Sequence, residues 1–376
     1  MATKDADLEK PKDIKFDGVV VDICFHPSKD VIAAGDIDGE VSLHSYSASR
    51  ENSTLMSFKN HKKACRALRF SANGEELYTA SKDKSIHVVD MNTGALKRKL
   101  KKAHESPIYS MLVTGENFLA TGDDDGHLKV WDLRTNRAEM EVKHNEEFIS
   151  DMEIDDQHKI LITTRIYRNL SVHEPPRLKV RRKRMDIQSE LFDSELLSLA
   201  RLKEKEKIVC GTGEGVLNIF NWGEWGNISD RFPGHPMSVD CMVAVTDNIL
   251  CTGSSDGIVR AVNILPNRFL GVLGDHDEFP VENLSLSHDG NLLASCSHDQ
   301  TIKFWNTSDF RDLSVSTKKR AKKGNKPNKL GSTAKNDFFA DLADDNADDE
   351  KDTDKNEDES DEGDSDDDDD DDDDVE

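Results

Sequence analysis

The sequence predicts an all-β, seven-bladed propeller followed by a basic and then an acidic tail, and three observations predict it. Stretches that place a small residue, an acid and a Gly or polar residue ahead of alternating apolar positions recur at anchors 38, 83, 125, 167, 214, 256 and 299. Their separations of 45, 42, 42, 47, 42 and 43 residues match the period of one propeller blade. A His stands 21 to 23 residues before the anchor in five units, as His61, His104, His144, His235 and His276, with Asp17 and Asp193 in the other two. Beyond about residue 313 the alternation stops and the composition turns to Lys and then to Asp. The expected organisation is a disordered N-terminus over 1–10, a propeller over 11–313, a basic linker over 314–336 and a disordered acidic tail over 337–376.

The repeats justify themselves in order along the chain. AGDIDGEVSLHS, ASKDKSIHVVD, TGDDDGHLKVWD, TGSSDGIVRAVN and CSHDQTIKFWN share one frame, an Asp-Gly-type turn between two strands. The fourth copy, TTRIYRNLSVHE, is degenerate: Tyr167 takes the acid's place while Leu170 and Val172 keep the alternation. The fifth, CGTGEGVLNIF, has the look of a phosphate loop. Such a loop must open a helix, whereas Leu217 and Ile219 continue at strand period and no Lys-Ser or Lys-Thr pair follows. It is read as another hairpin turn, with Glu214 at the acid position.

Four residues before the anchor stand Thr79, Thr121, Thr163, Thr252 and Ser295, and six residues after it Trp131 and Trp305. His, Ser/Thr, Asp and Trp at these offsets resemble the WD40 repeat. The resemblance implies a hydrogen-bonded network inside each blade: His104, Thr121, Asp125 and Trp131 as one complete set, and His276, Ser295, Asp299 and Trp305 as another. The other blades carry His44, Val89, His173, Phe220 and Val262 in place of Trp, so their networks are partial. A His near a Ser and an Asp also fits a catalytic triad. Catalytic sites are single, however, and this grouping recurs with the fold, so it is read as structural and no enzyme is expected.

Before the first repeat, Ile14 to Phe16 is expected to supply the outer strand of the last blade, which would otherwise leave an open edge. The N-terminus MATKDADLEKPKD has no apolar segment of the secretory type, and no run approaches the about 18 apolar residues of a membrane span. The expectation is a soluble, non-secreted chain. Cys24, Cys65, Cys210, Cys241, Cys251 and Cys296 form no C-x-x-C pair and fall among apolar neighbours, as core thiols rather than metal ligands. No metal, cofactor or small-molecule substrate is implied.

After the last repeat, Lys318, Lys319, Arg320, Lys322 and Lys323 open a basic run that reads first as a nuclear or nucleolar address, with nucleic-acid contact and a solvated linker as alternatives. A second basic run, KVRRKR over 179–184, reads as a charged outer strand or loop. Residues 337–376 hold 25 Asp and Glu against two Lys, a net of 2 minus 25, or −23 of the −25 carried by the whole chain. Such a segment cannot bury enough apolar surface to order itself, repels nucleic acid and attracts basic proteins. Phe338, Phe339 and Leu342 form its one apolar island and would share a helical face suited to docking. Ser365, followed by acids, suits an acid-directed kinase.

FHPSKDVIAAGDIDGEV, HKKACRALRFSANGEELYTASKDKSIHVVD, CMVAVTDNILCTGSSDGIVRAVNILPNR, SHDQTIKFWN and NDFFADL after a basic stretch together resemble the WD repeat-containing protein 55 family. The resemblance implies a nuclear protein concentrated in the nucleolus, with some in the cytoplasm, acting in ribosomal RNA processing and ribosome biogenesis. The expected function is therefore a non-catalytic scaffold, monomeric within a larger complex, whose partners are pre-ribosomal assembly factors or basic ribosomal proteins. RNA contact is expected to be indirect or weak, because aromatics are sparse, 23 in the chain, and the body is acidic. Positions just after the recurrent His should lie near the loops, which nominates Lys63, Phe148, Met237 and Phe279 as partner-binding rim residues. Two alternatives come from other features. WDLR, ending at Arg134, resembles the motif by which some WD40 proteins contact adaptors of cullin-based ubiquitin ligases, although the motif is weak and a strand cap or a pairing with a neighbouring acid is the favoured reading of Arg134. The acidic tail fits a histone-binding chaperone.

Overall fold

Alternating apolar residues in strands of about six, broken by turns, leave each sheet with two faces to bury. A ring of sheets buries both. In the computed structural model, which describes residues 10–143, 148–165, 169–173, 185–188, 194–202, 204 and 206–311, the chain forms seven four-stranded antiparallel sheets. The tail from 312 onward, the basic run 179–184 and the positions of His144, Tyr167 and Asp193 lie outside the described residues. The innermost strands are Val20–Phe25, Cys65–Phe70, Ile108–Gly115, Ile149–Ile154, Leu196–Leu202, Val239–Ala244 and Val281–Leu286, belonging to blades one to seven.

Six blades are built from consecutive strands. The seventh takes its outer strand from the N-terminus: Ile14–Lys15 pairs antiparallel with Thr301–Asn306 in the register Ile14↔Ile302 and Lys15↔Thr301. The Phe16 amide extends the pairing by donating to the Gln300 carbonyl at 2.9 Å. Closure of the ring is thus as the sequence leads one to expect.

Each junction between neighbouring blades has its own apolar cluster. Ile14, Ile23, Phe25, Ile302 and Phe304 join blades seven and one, and Val209, Leu217, Val239 and Leu250 join blades five and six. Burying such a side chain contributes roughly 1.5–3 kcal/mol, so a blade separated from its neighbours loses most of its stabilisation. Polar ties run in the same direction around the ring. The Ser110, Ser150 and Ser198 hydroxyls each donate to a main-chain carbonyl at the start of the next blade, Ile149, Leu196 and Val239, at 2.8, 2.7 and 2.8 Å. The Asp22 and Asp151 carboxylates accept the Leu68 and Leu199 amides at 2.5 and 2.9 Å.

The glycine-rich stretch of blade five lies between the strands Lys207–Thr212 and Leu217–Asn221. It is a strand-turn-strand unit. Gly215 has φ +77°, and a Cβ there would collide with the main-chain oxygens of His235 and Met237, so packing against the next loop, and not phosphate binding, requires the glycine.

Candidate interaction surface

The anchors and the recurrent His residues meet at one face of the ring. In six blades the residue just before the anchor donates its amide to the carbonyl of the loop entering the innermost strand: Ile37 to Val19, Lys82 to Ala64, Asp124 to Pro107, Gly213 to Glu195, Ser255 to Ser238 and His298 to Pro280, at 2.9–3.4 Å. This repeated bond ties turn to loop and fixes the rim.

Behind the rim, blade seven assembles its polar set as the repeat implies. The Trp305 indole N–H donates to Ser295 Oγ at 2.7 Å, Ser295 meets His276 Nε2 at 2.6 Å, and His276 Nδ1 meets Asp299 Oδ2 at 2.7 Å. An indole N–H only donates and a carboxylate only accepts. For a neutral imidazole the direction of the chain is then set: Trp to Ser, Ser hydroxyl to Nε2, Nδ1–H to Asp. Burial favours that neutral form and lowers the His276 pKa despite the opposing pull of Asp299.

Blade three departs from expectation at one residue. Thr121 Oγ1 receives the Trp131 N–H at 2.8 Å and meets His104 Nε2 at 2.7 Å, but His104 Nδ1 turns to Asp123, at 2.9 Å, and not to Asp125. Asp123, the fully buried last residue of its strand, also receives His127 Nδ1 at 3.1 Å and the amides of Asp125 and His127. Asp125 is exposed and accepts the Ser106 hydroxyl. The corresponding residue of blade seven is Ser297, too short and uncharged to serve the ring, so there the acid two residues further on reaches back.

The remaining networks are partial. In blade two, His61 Nε2 meets Thr79 Oγ1 at 2.7 Å, and His61 stacks on His87 with centroids 4.0 Å apart. Burial and the neighbouring His61 hold the His87 pKa down to about 3. In blade six, His235 Nε2 meets Thr252 Oγ1 at 2.9 Å while the Asp256 carboxylate is claimed by Arg260 through two bonds of 3.0 and 2.6 Å. Among the described residues no side chain pairs with His235 Nδ1, and burial brings the pKa down to about 4 against the opposing effect of the Gly215 main chain. The polar groups that resemble catalytic ones are thus consumed inside blades. The cysteines are free and mostly buried, burial raises their pKa values, Cys251 to about 12, and no metal-holding cluster occurs among the described residues.

One open feature among the described residues is the mouth of the central channel, a cavity of about 930 Å³ to which the innermost strands contribute. One arc of it carries Lys59, Lys62, Lys63 and Lys82, and another carries Asp240 and Glu282. Burial raises the pKa of both carboxyls; hydroxyls of Ser238 and Ser255 meet Asp240 and the ring of His298 meets Glu282 at 2.6 Å. Beside the lysines, Arg66 pairs with Asp124 at 2.7 Å and lies over the Tyr109 ring at 5.3 Å.

Of the nominated rim residues, Lys63 is exposed and lines this mouth. Met237 and Phe279 are 52% and 47% exposed on the equivalent loops of blades six and seven. Phe148 is half-buried, packed on Tyr109 with centroids 4.5 Å apart. Arg134 forms a fork on Asp132 at 2.9 and 2.6 Å and lies over Phe118 at 5.7 Å, the strand-end pairing that was one of its two readings. The basic address residues and Phe338, Phe339 and Leu342 lie outside the described residues. Sequence reasoning missed the mouth's own positions: Ile37, Lys82 and His298 stand one residue before an anchor, and Arg66, Tyr109, Asp240 and Glu282 stand 16 or 17 before it. Those constant offsets are the signal that finds them.

The family model described as WDR55 matches residues 11–310. The chain belongs to the WD repeat-containing protein 55 family. Similar relatives carrying that family's name come from Bos taurus, 44% identical over 341 residues that cover 90% of this chain and 88% of the relative, from Homo sapiens, 43% identical with the same coverage, and from Danio rerio, 44% identical over 342 residues, 89% of this chain and 87% of the relative. Membership in the WD repeat-containing protein 55 family, with its WD-repeat propeller, marks a protein-interaction scaffold of a kind that is generally non-catalytic.

Proposed function

We propose that this chain is a non-catalytic scaffold of the nucleus and nucleolus, acting in ribosomal RNA processing and ribosome biogenesis by holding pre-ribosomal assembly factors or basic ribosomal proteins on its rim. The observation that carries the reading is the contrast between blade and mouth. His104 and Asp123, and His276 and Asp299, are spent on one another inside their blades, whereas lysines and the large apolar side chains of Met237 and Phe279 stand exposed on one face, the composition of an anchoring surface. The basic run at Lys318 to Lys323 and the acidic tail support a nuclear address and an affinity for basic partners.

Affinity purification of the full-length chain from nuclear extract, with and without ribonuclease, beside a version ending at Thr317, tests the proposal. Pre-ribosomal proteins and precursor ribosomal RNA should be recovered by both versions. Changing Lys63, Phe148, Met237 and Phe279 together should remove them. Recovery of a cullin ligase adaptor or of histones without pre-ribosomal material overturns the reading.

A further inference from the structure

We infer that the lysine arc of the channel mouth receives an extended segment of a partner protein in which acidic residues flank one bulky apolar residue. The inference rests on the scaffold reading above and names the chemistry by which one arc of the rim would select an assembly factor.

The arc is prepared for a ligand at its backbone and free at its side chains. The loop carrying Lys59, Lys62 and Lys63 is fastened to the neighbouring turn of blade two by three bonds: the Lys62 amide to Asp83 at 2.9 Å, the Ser81 hydroxyl to the Lys63 carbonyl at 2.9 Å, and the Lys82 amide to the Ala64 carbonyl at 3.0 Å. On its other side it packs on the turn of blade one, where a Cβ at Gly39 would stand 2.5 Å from the Lys63 oxygen. Among the described residues, no carboxylate lies within ion-pair distance of the Lys59, Lys62 or Lys63 ammonium, whereas Arg66 beside them is already paired with Asp124. Three cations on an immobilised loop attract an anion without a backbone ordering cost.

Two features decide for a peptide over a nucleic acid. Ile37, 53% exposed on the adjoining turn, and Tyr109, 38% exposed and backed by Phe148, border the cavity and offer apolar area that a phosphate backbone does not use. A nucleic-acid strand crossing the mouth would also carry its charge onto Asp240 and Glu282, where repulsion opposes it. A peptide confines its acids to the lysine side and keeps them clear of Asp38, which lies beside Ile37 at the arc's edge.

The test uses full-length protein and fluorescence anisotropy with three labelled probes: a peptide with a central Phe flanked by Asp and Glu, the same peptide with Lys at every acid, and a 12-nucleotide oligouridine. Saturable binding of the acidic peptide alone is expected. Lys62→Glu/Lys63→Glu should weaken it by about tenfold or more, Lys62→Gln/Lys63→Gln by less, and Lys29→Glu/Arg50→Glu on the opposite face not at all, with all melting temperatures unchanged. Acidic-peptide binding indifferent to the Lys62→Glu/Lys63→Glu change overturns the inference, as does oligouridine binding in place of peptide binding. Purification from nuclear extract separates the two claims. If the charge-reversed variant keeps every pre-ribosomal partner of the wild type, the lysine arc falls and the scaffold stands. If the wild type binds the peptide at the lysines yet recovers no pre-ribosomal protein, the ribosomal reading falls and the arc stands.

Discussion

Asp123 and Asp125 are chemically identical and two residues apart, yet only one is surrounded by donors. Burial works to raise the Asp123 pKa, and the bonds from His104 and the His127 amide outweigh it, so the carboxylate stays ionised below the usual range. Asp123→Asn would set an amide N–H against ring nitrogens and leave the buried His104 and the half-buried His127 competing for one oxygen, a cost of about 3 kcal/mol. Asp125→Asn, at an exposed site, should cost less than about 1 kcal/mol. Urea unfolding of both variants checks this; equal losses would return Asp125 to the network. The three consecutive acids of TGDDDG explain why the sequence alone misassigned the role: spacing selects a frame of about three residues, and only burial selects among neighbours within it. Asp299 was legible because Ser297, two residues earlier, offers no rival carboxylate.

At the scale of elements, legibility follows the strength of the repeating signal. Turns were found wherever an acid and a Gly or polar residue marked them, because a positive φ constrains the residue after the anchor: Gly39, Gly126, Gly215 and Gly257 occupy it, with Lys84 and Gln300 as the exceptions at φ 70° and 63°. Inter-blade ties such as Asp22 to Leu68 were not legible, since their partners are 46 residues apart and no local pattern joins them. The closing strand is legible for a topological reason, as six complete blades and three further strands leave one edge unpaired. Ile14 is buried within the cluster of Ile302 and Phe304, so the two-residue strand Ile14–Lys15 holds the ring through its side chain as well as its ladder. Ile14→Asp should therefore lower the melting temperature by several degrees, as a loss of about 2–3 kcal/mol predicts for burial of an unpaired charge, and Lys15→Asp, at an exposed position, should not. Equal melting temperatures for the wild type and Ile14→Asp would show that the ring does not depend on this strand.

Across the whole molecule, blade interiors and the channel respond to pH in opposite senses. Asp123 and Asp299 have pKa values lowered in the fold, against burial, by their His partners and neighbouring donors, so their contribution is present at neutral pH and is lost as pH falls through the folded values. The channel carboxyls behave otherwise: burial raises Asp151 to about 6 and Glu153 to about 7. For Glu153 the unfolded chain ionises near 4.5 while the folded chain holds its proton, so stability declines as pH rises from about 4.5 to about 7 and then levels. Its side chain is 32% exposed with Arg201 only at 4.0 Å, so no close ion pair repays the burial. Glu153→Gln keeps the shape and removes the charge. It should stabilise the protein by about 1 kcal/mol at pH 7.5, a figure discounted for solvent screening, and by nothing at pH 4. Calorimetric melting of both proteins between pH 4 and 8 decides the matter. A gain confined to the upper range assigns the penalty to ionisation within the channel, whereas an equal gain at every pH would make it one of packing, and a loss at pH 7.5 would mean that the Arg201 pairing outweighs burial.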